Sequence, residues 1–315
     1  MEQFFSNFYT VFLQVVVLFI LMGLGFIGNK TKLITLDGSK VMSDVVLYFV
    51  TPCLIINSFS NMECDKQHLN GLIICFVSFF AIMAATIALV HVIFRGKDEK
   101  KMRVLRFGLV FSNVGYMGIP LQEAVLGEEG VFYGAVCVGV FSLLVWTYGV
   151  ICSSGNIKNL SVKTLIFNPG LIAVTVGLII FLGSVPVAKY LPPVHTTLGY
   201  MANLNTPIAM MVIGFNLANS NIIASLKSAS TYLVAALRLI AVPLASLFVL
   251  LLCGIRGDIL VSLVVASSAP VAAVTTVFAI KYDNDINTSV NLVAFTTLLS
   301  IVTMPVIVAL AQVFS

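Results

Sequence analysis

The sequence predicts an all-α polytopic membrane protein of ten transmembrane helices, arranged as two inverted five-helix repeats with broken, crossing helices four and nine. Three observations predict it. Of 315 residues, 59% are hydrophobic and 10% charged, and the mean hydropathy is +1.07. That is the composition of lipid-spanning chains, not of soluble domains. The apolar residues fall into ten blocks, each near the roughly 20 residues a bilayer-crossing helix needs. The last five blocks repeat the pattern of the first five.

The blocks cover residues 8–28, 41–60, 69–94, 104–126, 131–152, 166–183, 196–219, 231–254, 259–280 and 288–314. Little chain is left for a soluble domain. The first block is read as a span rather than a signal peptide, because no basic residue precedes it and no cleavage site follows. Assigning the loops alternately to two faces gives one face Lys30, Lys32, Lys40, Arg95, Lys97, Lys100, Lys101, Arg103, Arg106, Lys158, Lys163, Lys227 and Lys281. The other face receives Lys66, Lys189 and Arg256. By the positive-inside rule the first face is cytoplasmic and both termini lie outside. The net charge of +4 then follows from topology and implies no nucleic-acid partner.

A shift of 155 residues lays Phe26 on Phe181, Gly28 on Gly183, Thr51-Pro52 on Thr206-Pro207 and Ser112 on Ser267. The units are 1–155 and 156–315. Five spans per unit force the second to insert upside down, the inverted repeat of secondary transporters.

The fourth block carries "FSNVGYMGIPLQ", in which Asn113, Gly115, Gly118 and Pro120 interrupt a lipid-spanning helix. The matching place in the ninth block reads Ser267-Ser268-Ala269-Pro270. A break in the bilayer's middle frees backbone polar groups, at several kcal/mol each if they face lipid. Such a break is tolerable where the freed groups line a cavity or meet another break. Two breaks that cross offer a substrate site. Both second half-helices start near the midplane, with Pro120 suited to a first turn, so two partly positive N-termini converge there. The expected substrate is an anion. Ser112, Asn113, Ser267 and Ser268 would supply neutral donors, and Gly115 and Gly118 close approach to backbone. Pro52, Pro207, Pro243 and Pro305 are read as kinks or packing positions.

Ionisable residues within spans are functional candidates. Arg238 has two readings: it binds a substrate carboxylate, or it pairs with carbonyls that a broken helix exposes. Asp44 and Glu123 each have a gating reading, but are read first as solvated positions near helix ends. Asn57 and Asn205 are polar candidates for the transport path, or for hydrogen bonds between helices. No carboxylate lies deep in spans three, five, eight, nine or ten, which favours uniport or exchange. Coupling through the substrate's own proton, or sodium at carbonyl and hydroxyl sites, stays open. The six cysteines are read as small buried hydrophobes. His68 and His195 fall in loops and His91 near a helix end. No metal spacing, P-loop or catalytic constellation occurs, so neither a cofactor nor an enzyme is expected.

These residues resemble the auxin efflux carrier family, whose bacterial members are described as malate or related organic-acid permeases. "SNVGYMGIPL" is similar to that family's broken fourth helix, "APVAAVTTVFAIKYD" to its broken ninth, and "LRLIAVP" to its eighth, with Arg238 and Pro243. The resemblance runs end to end. It implies a fold like that of bile-acid symporters and a bacterial plasma-membrane location. Helices one, two, six and seven would form a scaffold that also makes a homodimer among membrane lipid. Helices three to five and eight to ten would form a transport core that slides as an elevator. It also implies that Asn113 and the two breaks, including Pro270, contact the substrate carboxylate. Relative to the plant carriers the second break lacks a further proline; Thr275 and Thr276 stand in that area. The site is also less aromatic than an indole ligand would want, so a small polar organic acid fits better. A ligand-binding receptor and an anion channel are the alternative functions.

Overall fold

The computed structural model describes residues 2–220 and 228–315, so Lys227 lies outside the described residues. The described chain is helical throughout, and no β-strand forms in it. The main helices are α1 (Glu2–Lys30), α2 (Leu36–Asn61), α3 (Lys66–Ile93), α4 (Glu99–Val110), α5 (Val114–Ser154), α6 (Pro169–Leu182), α7 (Pro192–Asn203), α8 (Asn205–Ala218), α9 (Ala229–Leu252), α10 (Gly257–Ser268), α11 (Val274–Lys281) and α12 (Ile286–Val313), with single turns at Val162–Ile166 and Val187–Tyr190 between them. Among the described residues α1, α2, α3, α5, α9 and α12 are long and apolar enough to cross a membrane, while α6 and α10 are apolar but shorter. The protein is therefore a polytopic membrane protein.

Several helices start where a side chain caps them. Asp65 accepts from the His68 N–H at 2.8 Å, Asp98 from Lys101 at 3.1 Å, Asn168 from Leu171 at 3.1 Å and Asp285 from Thr288 at 2.9 Å. Each bond satisfies an amide that the first turn leaves without a helical partner. The Asp65 cap draws His68 into the first turn of α3, and His195 sits in the first turn of α7, so neither is a loop residue.

The block expected at 104–126 is not one helix. It comprises α4, a break, and the first arm of α5. That arm continues into the block expected at 131–152 through Gly127, whose φ of 63° and ψ of −140° end the first arm sharply. A side chain there would be strained. The bend sets Gly130 against the Gln122 carbonyl. The ninth block is likewise α10, a break and α11.

Prolines widen the helices. π-turns at Val46–Val50, Val114–Gly118 and Leu237–Ala241 each end two residues before a proline: Pro52, Pro120 and Pro243. A proline cannot donate to the carbonyl four residues back, so the ladder shifts to longer bonds there. Pro207 lies in the first turn of α8, where its missing N–H costs nothing, and Pro305 lies inside α12.

The packing follows small residues. α1 lies along α8 with backbones nearly touching: a Cβ on Gly25 would sit 2.0 Å from the Met211 oxygen, and one on Gly214 1.8 Å from the Met22 oxygen. Lipid gives helices no hydrophobic drive to associate, so such close approach carries the interface. α2 packs on α6 and α7, and α10 sits among α5, α9 and α12. At the cytoplasm-facing end expected from charge, the Phe107 and Phe278 rings, 4.9 Å apart, join α4 to α11.

Candidate functional site

Two non-helical segments, 111–113 and 269–272, separate the broken helices and lie against each other. Pro270 pushes Ala269 out of helical conformation, to φ −60° and ψ 145°, and ends α10. In the other break Phe111 and Asn113 take φ/ψ of −97°/104° and −77°/54°. Ser112 pairs with Val271 in an antiparallel bridge. The Asn113 N–H donates to the Pro270 carbonyl at 2.7 Å, and the Ala272 N–H to the Phe111 carbonyl at 2.9 Å. The Val271 N–H donates to the Thr296 hydroxyl of α12 at 3.1 Å. Backbone groups freed by one break are thus satisfied by the other break and by α12, as a low-dielectric interior demands.

Asn113 is the hinge of this arrangement. Its carbonyl accepts from the N–H groups of Met117 at 3.1 Å and Gly118 at 3.0 Å, which starts the π-turn. Its side chain is 6% exposed and has no hydrogen-bond partner among the described residues. Pro120 lies one turn beyond the start of that half-helix, at the passage from π- to α-geometry. Around Gly115 there is room: a Cβ would meet only Val138, at 4.0 Å, and one on Gly118 would touch Val114 at 3.4 Å. Neither glycine is demanded by packing.

The hydroxyls of Ser267 and Ser268 donate back to Val264 and Val265, each at 3.0 Å. Their protons are therefore engaged within α10, and only oxygen lone pairs remain. Ser112 is buried in the extended segment.

Arg238 is 3% exposed and stands in the π-turn of α9. Its guanidinium donates to the carbonyls of Leu109 at 3.0 Å, Val110 at 3.5 Å, Ala269 at 3.3 Å and, most closely, Ser267. These are the carbonyls at the C-terminal ends of both first half-helices. No ion pair among the described residues involves Arg238.

Asn57 and Asn205 lie apart from this network. Asn205 accepts from Thr51 at 3.2 Å, which links α8 to α2 at the very Thr-Pro segments that the 155-residue shift superposes, and its amide nitrogen is buried without a partner. The Asn57 side-chain oxygen, Oδ1, is also buried and unpartnered, while its main-chain carbonyl accepts from the Ser60 hydroxyl at 2.8 Å. Neither is hydrogen-bonded to the crossing among the described residues.

Thr296 and Thr297 of α12 escape a reading based on prolines and glycines, and Thr275 stands in the first turn of α11. Thr296 holds Val271, while the Thr275 and Thr297 hydroxyls are buried with no partner. Thr296 and Ser300, spaced four apart in an apolar helix, mark the polar face of α12. An apolar cleft of about 100 Å³ among Phe59, Phe76, Val136, Val174 and Leu178 exposes no polar atom, so it offers a carboxylate nothing.

A family model described as membrane transport protein matches residues 10–163 and 153–308. The chain belongs to the auxin efflux carrier family. Its similarity to an uncharacterized transporter of Methanothermobacter thermautotrophicus is 27% identity over 296 residues, 91% of this chain and 93% of that protein. An uncharacterized transporter of Methanocaldococcus jannaschii is 26% identical over 303 residues, with 91% and 94% covered. An uncharacterized membrane protein of Rickettsia prowazekii matches over 157 residues at 26% identity, 49% of this chain and 48% of that one. Transport is the work of the family, and the residues that resemble its broken fourth and ninth helices are those that meet at this crossing.

Proposed function

We propose that this family member is a secondary carrier that moves small organic anions, such as malate or related carboxylates, across the plasma membrane of a bacterium by an elevator-type mechanism. The observation that supports it best is the backbone-to-backbone crossing of two broken helices, from which two half-helix N-termini lead away. Oriented amides at such ends favour a carboxylate. Asn113, with its free buried amide, is the first side chain to meet the anion. Gly115 and Gly118 leave space for it, while Ser112, Ser267, Ser268 and Pro270 form the surrounding wall. Asn57 and Asn205 would border its path.

In this proposal residues 1–155 and 156–315 are inverted repeats, and both termini lie outside. The first, second, sixth and seventh spans form the scaffold of a homodimer. The remaining six carry the crossing from one membrane face to the other. No carboxylate touches the crossing among the described residues, which supports uniport or exchange.

The test is uptake of labelled malate, malonate, lactate and an indole acid into proteoliposomes under imposed pH, sodium and voltage gradients. Saturable, counterflow-capable uptake of a small acid supports the carrier. Non-saturating flux would favour a channel. Ligand binding without flux would favour a receptor.

A further inference from the structure

Four half-helix ends meet around one buried cation, and their charges do not cancel. α4 and α10 end here, each with roughly half a negative charge on its free carbonyls. Arg238 donates to carbonyls of both ends. Its full positive charge therefore neutralises the two C-termini together. The other two half-helices, α5 and α11, begin here with roughly half a positive charge each. No acidic residue occupies their first turns, and Asp44 of α2, which faces α5 there, stands at the hydroxyl end of the Tyr116 ring, where Tyr116 donates to the Ser43 carbonyl at 3.4 Å. The crossing is left with about one uncompensated positive charge in a buried setting. Two polar side chains mark the same two ends: the Thr275 hydroxyl in the first turn of α11, 1% exposed and buried without a partner, and the Asn113 amide before α5, which is 6% exposed and makes no side-chain hydrogen bond among the described residues.

We propose that Arg238 is a positioning residue that sets the charge of this site, so that the carrier takes cargo with a single negative charge. The inference rests on the carrier reading above. Arg238 does not grip the cargo. It cancels the helix C-termini that would otherwise repel an anion, and leaves the helix N-termini to hold one carboxylate. A second ionised carboxylate would be a buried charge without a partner, which is strongly unfavourable. A dicarboxylic acid therefore enters with its second carboxyl protonated and carries that proton across.

The wild-type protein gives the first test. In proteoliposomes clamped at zero voltage, lactate uptake should stay flat between mildly acidic and neutral pH. Malonate uptake should fall as pH rises, in step with the monoanion fraction. Malonate uptake that follows the dianion would overturn the inference and leave the carrier standing. If folded protein moves neither acid, nor malate nor an indole acid, the carrier reading falls and this inference with it.

Arg238 is tested by substitution. Arg238→Gln should weaken lactate relative to lactamide on the order of tenfold, because the removed charge no longer favours the carboxylate. Arg238→Lys should restore most of the preference. A purely structural arginine would change the yield of folded protein and leave that ratio unmoved, which would also overturn the assignment. If Arg238→Gln does not fold, the Lys variant and the wild-type pH series still decide it.

Discussion

The backbone N–H of Asn113 donates to the carbonyl of Pro270 at 2.7 Å, joining the break in one helix to the break in the other. Proline suits its place: it ends α10, contributes no donor needing a partner, and turns its carbonyl toward the opposite break. Asn113 is tied through its main chain and free in its side chain. The structural and binding roles of this residue are therefore separable. Asn113→Ala keeps all three backbone bonds, to Pro270, Met117 and Gly118, so the melting temperature in detergent should not change. Uptake should fall at least about tenfold if the amide donates to a carboxylate, since bonds to charged groups are worth about 1.5–3 kcal/mol. Unchanged uptake kinetics would remove Asn113 from the site.

Thr296 supports the second break from outside it. Its hydroxyl donates to the Leu292 carbonyl at 2.8 Å and accepts from the Val271 N–H at 3.1 Å. Thr296→Val keeps the shape but orphans a buried amide, which should cost about 1–3 kcal/mol. Thr296→Ser restores the acceptor and should recover most of the loss. Thermal unfolding in detergent reads both variants; equal melting for the Val variant and wild type would mean that Val271 finds another partner.

What the sequence could and could not reveal divides along physical lines. Proline and glycine act on their own backbone, so the breaks near Asn113 and Pro270 were legible from those residues alone. The low charge and long apolar blocks made a polytopic membrane protein legible in the same way. Arg238 was visible as an oddity, but its partners were not, because Leu109 lies 129 residues away in the chain. Thr296 gave a weaker signal, since a hydroxyl in an apolar helix usually needs only its own preceding turn. Gly127 turns the chain between the blocks expected at 104–126 and 131–152, so that boundary is legible in the sequence, while the angle between the two arms is not, because hydropathy does not record backbone direction. Ser267 and Ser268 are expected as neutral donors at the site, and the sequence does not show that their hydroxyls bond to Val264 and Val265 within α10, each at 3.0 Å.

The α1–α8 contact is expected to be the interface least tolerant of added volume. A Cβ on Gly214 or Gly25 would strike backbone, not a movable side chain, at 1.8 Å and 2.0 Å. Gly214→Ala should force the helices apart and lower stability by about 1–3 kcal/mol. Gly23→Ala, on the same helix as Gly25 with open space beside it, is the control and should be neutral or slightly stabilising. Equal melting temperatures for the two variants would show that the backbones can part without loss.

The N-cap of α3 gives a prediction about pH. Asp65 accepts from the His68 backbone N–H at 2.8 Å, and that bond is the main cause holding its carboxyl below the ordinary aspartate range. A carboxyl depressed in the folded state contributes stability above its unfolded pKa and loses it as pH falls through the folded value. The cap therefore helps at neutral pH and fades in acid. Asn caps a helix without a charge to lose. Asp65→Asn should consequently narrow the difference in melting temperature between neutral and acidic pH, while Asp65→Ala should lower the neutral value toward the acidic one. His68 also faces Asp65 through its ring at 3.0 Å and Glu129 at 2.9 Å, so the comparison is repeated in a His68→Gln background to isolate the cap. If the Asp65→Asn substitution leaves the pH dependence of melting unchanged in that background, the carboxylate is not what holds the start of α3.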